Sequence, residues 1–135
     1  MSALSDSAEK LVLDFLMTSG TATRPTAWYV ALYTSAPNDA STGSTGGTEV
    51  SGNGYSRQSV TFAAASSPGG TTTSTNAQSF TASGGDFGTV THMAIIDASS
   101  GGNMLWHGAL TTSRTVSDGD TLTFSRKDRW KTCEL

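Results

Sequence analysis

Between Asp6 and Thr18 the apolar residues Ala8, Leu11, Val12, Phe15 and Leu16 recur three and four apart, the spacing that lines one face of a helix. Asp6 and Glu9 stand at its start in the spacing of a capping box, and Gly20 follows as a stop signal. The pattern predicts a helix over 6–18 whose apolar stripe must be covered by the sheet that follows or by another subunit. Beyond Pro25 the period changes to two. In Ala27 to Thr34 (AWYVALYT), Trp28, Val30 and Leu32 share one face while Tyr29 and Tyr33 take the other, so a central strand with two apolar faces is expected.

The segment SAPNDASTGSTGGTEVSGNG then runs for about twenty residues of turn formers, where ordinary connections have roughly four to six. Its part from Ala40 to Gly54 and the later Ser66 to Ser74 offer little apolar area against chain entropy, and both are expected to be mobile. Tyr55 to Phe62 reads as a strand and Asn76 to Phe80 as a shorter one. Gly88 to Asp97 and Asn103 to Leu110 flank ASSGG and predict a hairpin. A strand around Thr115, a turn at Asp118 and Gly119, and a strand from Asp120 to Ser125 complete the pattern. One helix followed by six or seven short strands predicts a mainly β fold, an antiparallel β-sandwich or open barrel with one N-terminal α-helix. The length of 135 residues suits a single domain over 1–135 with its own core.

Composition narrows the chemistry. Hydrophobic residues make up 36% and charged residues 14%, while Ser and Thr supply roughly a third of the chain, far from the average globular mix. Such a surface is covered by hydroxyls rather than ions. Eight basic against eleven acidic residues leave a net charge of −3, which gives no footprint for a polyanion, so nucleic acid is not an expected partner. The single cysteine, Cys133, cannot form a bridge within the chain. No run approaches the ~18 apolar residues of a membrane span, and no basic residues precede an apolar leader, so a soluble protein made in the cytosol is expected.

Four features invite a catalytic or ligand reading, and each has a plainer alternative. The glycines of SGNGYSR could cradle a phosphate, but no third glycine opens a helix and no Lys-Ser or Lys-Thr follows, so an ordinary turn is expected. His92 and His107 fall on the two arms of the predicted hairpin. They face each other if paired residue numbers sum to 199 and lie on opposite faces if they sum to 200. Two histidines alone leave a zinc site incomplete unless Cys133 or Asp97 joins them. Asp86, Asp97, Asp118 and Asp120 lie at strand ends and turns, where such residues commonly cap backbone, and no spacing selects two of them as a catalytic pair. Trp28, Tyr29, Tyr33 and Trp106 could form a sugar-binding platform, though strand aromatics usually fill a core. Without a G-x-S-x-G elbow a hydrolase nucleophile has no scaffold. No catalytic residue, metal or cofactor is therefore expected.

The succession WYVALYTSAPNDA, GGTEVSGNGYSRQSVTF and DFGTVTHMAIIDASSGGNMLWHGALTTSRTVSDGDTLTFS resembles a family of small bacteriophage virion proteins commonly labelled phage tail fibre proteins, and the resemblance runs from Trp28 to Phe124. It implies a structural, non-enzymatic component of the virion, made in the host cytoplasm and acting through contacts with other virion proteins and with copies of itself. The tail is the expected location. A decoration protein on the capsid and a module that binds a host glycan are the alternatives. Under the resemblance GGTEVSGNGYSR is a turn that delivers a strand, with Glu49 and Arg57 as partners across it and Tyr55 as a packing lid. Phe87 stands where the family pattern has tryptophan.

The ending departs from that pattern. Arg126, Lys127, Arg129 and Lys131 against Asp128 and Glu134 give the last segment +2, while the remainder carries four bases against nine acids, or −5. Trp130 sits among these bases, and tryptophan and arginine are frequent anchors of interface cores. Tyr55, Arg57, Arg126, Lys127, Arg129, Trp130 and Lys131 are thus the candidate interaction residues. The segment 126–135 is read either as an edge strand or as a docking tail.

Overall fold

Ser5 is where the chain turns from strand to helix. In the computed structural model, which describes residues 2–68, 70–124 and 129–131, β1 (Ser2–Leu4) leads into α1 (Asp6–Met17). The cap of α1 is Ser5, not the expected pair of Asp6 and Glu9. Its Oγ accepts the Ala8 amide at 3.3 Å and donates to the Met104 carbonyl, so one hydroxyl both starts the helix and ties it to the sheet. Asp6 and Glu9 lie in the first turn, where acids favour the helix dipole. At the other end Thr18 is extended; its Oγ1 donates to the Asp14 carbonyl at 2.9 Å and accepts the Gly20 amide at 3.2 Å.

The main sheet is antiparallel, in the order β1, β8 (Met104–Val116), β7 (Gly88–Ile96), β2 (Tyr29–Ser35) and β3 (Thr48–Glu49), with β4 (Gln58–Ser59) also paired to β2. The strand expected around Thr115 is the end of β8, where Thr115 faces Thr89 of β7. Tyr55 to Phe62 holds only the two-residue β4, followed by an isolated bridge between Phe62 and Ser74. Two ribbons complete the fold. β6 (Gln78–Thr81) pairs with β9 (Thr121–Phe124), and β5 (Thr71–Thr73) pairs with β10 (Arg129–Lys131). Among the described residues the strands form antiparallel sheets and no closed barrel, so the fold is the mainly β one expected, with its helix at the N-terminus.

β2 is buried on both faces, as its sequence requires: Val30, Ala31, Leu32 and Tyr33 are all buried. Val30 and Leu32 join Val60, Phe80, Ala82, Phe87, Val90, Ile95 and Val116 in the larger core, which the β6–β9 ribbon covers with Phe80, Leu122 and Phe124. Ala31 and Tyr33 join Ala94, Ile96 and Met104 in a smaller core on the other side. Within the stretch from Ala40 to Gly54, expected to be mobile, several residues are tied to the rest of the fold. Ser41 is buried, its Oγ accepts the Asn38 amide at 2.8 Å, and a Cβ added at Gly47 would lie 3.0 Å from the ring of Tyr33. Near the end of the same stretch Val50 is buried and donates its amide to the Leu32 carbonyl at 2.9 Å.

The hydroxyl-rich composition has a structural counterpart on the exposed strand faces. Ser79 and Thr123, Thr81 and Thr121, and Thr89 and Thr115 are directly opposed in the sheets, with hydroxyls 3.0, 2.9 and 3.1 Å apart. Cross-strand pairs of this kind stabilise a sheet without placing charge on it.

Candidate interaction site

The turn at 52–55 organises the most connected polar site among the described residues. Gly52, Asn53 and Gly54 all have positive φ (71°, 54° and 79°), a succession that glycine and asparagine adopt at least cost. Asn53 fastens the turn to a neighbouring loop, donating from Nδ2 to the Asp86 carbonyl at 2.8 Å and accepting the Ser83 amide on its own carbonyl at 2.8 Å. The chain leaves this turn with Tyr55 and Arg57 directed back under the sheet edge. The glycines of SGNGYSR thus shape a turn.

Arg57 is enclosed, with 5% of its side chain exposed. Its Nε donates to Glu49 Oε1 at 2.8 Å and Nη2 to Glu49 Oε2 at 2.8 Å, the paired geometry that a planar guanidinium offers a carboxylate. Nη2 also donates to the Gly43 carbonyl at 2.6 Å, and Nη1 to the carbonyls of Ala98 and Gly101, each at 2.9 Å. These five bonds match the five N–H donors of the side chain. One residue therefore joins β3, the 36–47 loop and the hairpin loop between β7 and β8. The two loops approach so closely that a Cβ added at Gly43 would fall 1.8 Å from the Gly101 carbonyl oxygen. Glu49 and Arg57 are the partners the sequence placed across the turn.

Tyr55 shares the same carboxylate. Its hydroxyl donates to Glu49 Oε1 at 2.8 Å and accepts the Leu32 amide at 3.0 Å, while its ring stacks on Phe80 and meets Phe87 edge-on. Burial pushes the Tyr55 phenol well above its ordinary pKa, and the negative Glu49 adds to the shift, against the opposing effect of the Leu32 amide. Burial likewise pushes Tyr33 up to about 12, with Glu49 contributing in the same direction. The hydrogen bond to Glu49 raises Arg57 further above its already high value, against the effect of burial. Both phenols are neutral and the guanidinium charged over the physiological range. The group is a structural clasp between strands and loops, with Tyr55 as the half-buried lid of the larger core.

The same turn and strands fall inside a family match. The family described as Podophage GP4 fiber I protein gp80 matches residues 3–129. The chain belongs to that family. It is a bacteriophage structural protein of tail-fibre type, as the resemblance over Trp28 to Phe124 implied, and the match takes in α1 and the last two residues of β1 as well. No curated protein matches the chain.

The remaining candidate residues of this fibre protein divide by location. Arg129, Trp130 and Lys131 form β10, paired with Thr73, Thr72 and Thr71 of β5. Arg126, Lys127 and Cys133 lie outside the described residues. His92 and His107 share a face without being opposite: paired numbers there sum to 201, so His92 faces Ala109 and His107 faces Ala94. Each ring has its own partner, with Thr91 Oγ1 2.8 Å from His92 Nδ1 and Asp39 Oδ1 2.8 Å from His107 Nε2. Among the described residues no group of three or more His, Cys, Asp or Glu side chains is placed to hold a metal ion.

All four turn carboxylates accept backbone amides. Asp86 takes the Asp118 amide at 2.8 Å, Asp97 the Asn103 amide at 2.7 Å, Asp118 the Gly84 amide at 2.9 Å and Asp120 the Ser117 amide at 3.1 Å. They brace loops rather than converge on a cleft. Tyr33 is buried in the smaller core, and Trp28 and Trp106 pack against the larger one, so these rings face inward. No helix among the described residues is long and apolar enough to cross a membrane.

What the sequence did not reveal is the outer end of α1. Only Ala8 of the expected stripe is buried; Leu11 and Val12 are half-buried, while Phe15 and Leu16 are 73% and 66% exposed. The first turn sits on the sheet and the last two turns overhang it. Of the two covers expected for the stripe, the sheet reaches only its beginning.

Proposed function

We propose that this chain is an exposed, tail-associated module of a phage fibre apparatus, present in several copies and acting through protein–protein contacts without catalysis. The family match over residues 3–129 carries the reading, because the family is one of phage fibre proteins. The chemistry around the turns supports it. The turn carboxylates and His107 are engaged in bracing loops, His92 is paired with its neighbour Thr91, and the Arg57 clasp directs all its donors inward. Rigid loops braced in this way suit a part that must keep its shape outside the cell. The basic segment at 126–131 belongs to the proposed contact surface, and β10 holds its end against β5.

Electron cryomicroscopy of phage particles carrying a tagged copy of the chain tests this. Added density at the tail is expected. Density over the capsid lattice would make the protein a head decoration instead, and its absence from purified particles would overturn the virion reading.

A further inference from the structure

We infer that the overhanging face of α1 is the surface through which one copy of this chain packs against another. Leu13, Phe15, Leu16 and Met17 are 55%, 73%, 66% and 76% exposed. At roughly 150–250 Å² for a large side chain, they leave roughly 500 Å² of apolar surface in water around the outer turns of the helix. Phe15 and Leu16, on the side of the groove, supply part of the roughly 800 Å² that each partner contributes to a stable protein interface.

The shape of the face selects a second copy as its occupant. Leu11, Val12, Phe15 and Leu16 form a groove with Ala22 and Arg24 of the following loop, with a volume of about 260 Å³ and an almost wholly apolar lining. Apolar cavities of about 150 Å³ hold a benzene ring. The groove thus has room for a phenyl side chain, and Phe15 projects from the same surface. A knob and a hole on one patch are the requirement of a self-complementary interface.

The charges agree with the shape. Arg24 at the rim of the groove has no carboxylate in ion-pair range among the described residues, and neither Asp6 nor Glu9 of α1 has a basic partner there. Arg24 is thus free to meet a carboxylate of a neighbouring copy, while Lys10 and Asp14 already satisfy each other within the helix.

This inference rests on the reading of the chain as a part used in several copies, but its test does not depend on where the particle carries it. The molar mass of the purified full chain is measured by light scattering across a concentration series, for the natural sequence and for Phe15→Asp and Leu16→Asp. Because both side chains are exposed, circular dichroism spectra should be unchanged in the variants. The natural chain is expected at a multiple of 13.9 kDa and each variant at the mass of one chain. A single-chain mass for the natural sequence at all concentrations overturns the inference, as does an oligomer whose mass survives both substitutions. Should a variant lose its fold, Arg24→Glu gives the second reading: its association should weaken at least tenfold, and unchanged association overturns the inference.

Discussion

Replacing Arg57 with alanine removes five hydrogen bonds at once and separates what they join. The Glu49 carboxylate, whose side chain is 23% exposed, loses its cationic partner, and the carbonyls of Gly43, Ala98 and Gly101 lose their donor. Breaking a buried ion pair by removing one partner costs about 3–5 kcal/mol. Partial exposure of Glu49 and its surviving bond from Tyr55 place this case near the lower bound, at about 3 kcal/mol. For a chain of this length each kcal/mol lowers the melting temperature by roughly 4 °C, so a fall of roughly 12 °C is expected. Arg57→Lys keeps the charge but offers three donors without the planar fork, and about half of that loss should remain. Urea denaturation of Arg57→Ala, Glu49→Gln and the double variant gives the coupling directly, expected above about 1 kcal/mol. Hydrogen exchange should speed up at the Gly43 amide, which donates to Gly102 across the joined loops. A loss below about 1 kcal/mol for Arg57→Ala, or strict additivity with Glu49→Gln, would refute the clasp as the element that unites these loops.

Two further outcomes follow from the same region. Gly43→Ala should lower the urea midpoint by the equivalent of about 1–3 kcal/mol, because its Cβ would meet the Gly101 carbonyl and force the two loops apart; Gly52→Ala, where no atom lies within 4 Å and only the positive φ opposes a side chain, should cost less. Tyr33 has a folded pKa of about 12, above its unfolded value of 10.0, so its contribution to stability is complete below pH 10 and is lost as pH rises through 12; the loss, on the order of 2–3 kcal/mol, should be reduced in Tyr33→Phe when urea unfolding is compared on either side of that window.

The sequence by itself determined the elements whose signals are local. A period of 3.6 marked α1, alternation with two apolar faces marked β2, and two strand-like runs around ASSGG marked the β7–β8 hairpin. Glu49 and Arg57 were paired through the family resemblance, and the structure shows how a short glycine-rich turn returns the chain upon itself and brings residues eight apart together. Tertiary structure decided the features that depend on distant partners. β1 has three residues and no pattern of its own, and it is a strand because β8 lies beside it. The β5–β10 ribbon joins segments more than fifty residues apart for the same reason. Along β7, alternation alone would set Val90 and Ile95 on opposite faces. The register shift between Val90 and His92 puts both in the larger core, and no period in a single strand records an irregularity that depends on pairing with another. The stretch from Ala40 to Gly54 reads as mobile when its own few apolar residues are counted, yet Gly43 and Gly47 within it meet an arginine, a hairpin loop and a tyrosine that belong to other segments. The apolar stripe of α1 was visible in its spacing, but how far the sheet extends beneath it is a property of the whole fold, and that extent leaves Phe15 and Leu16 in solvent.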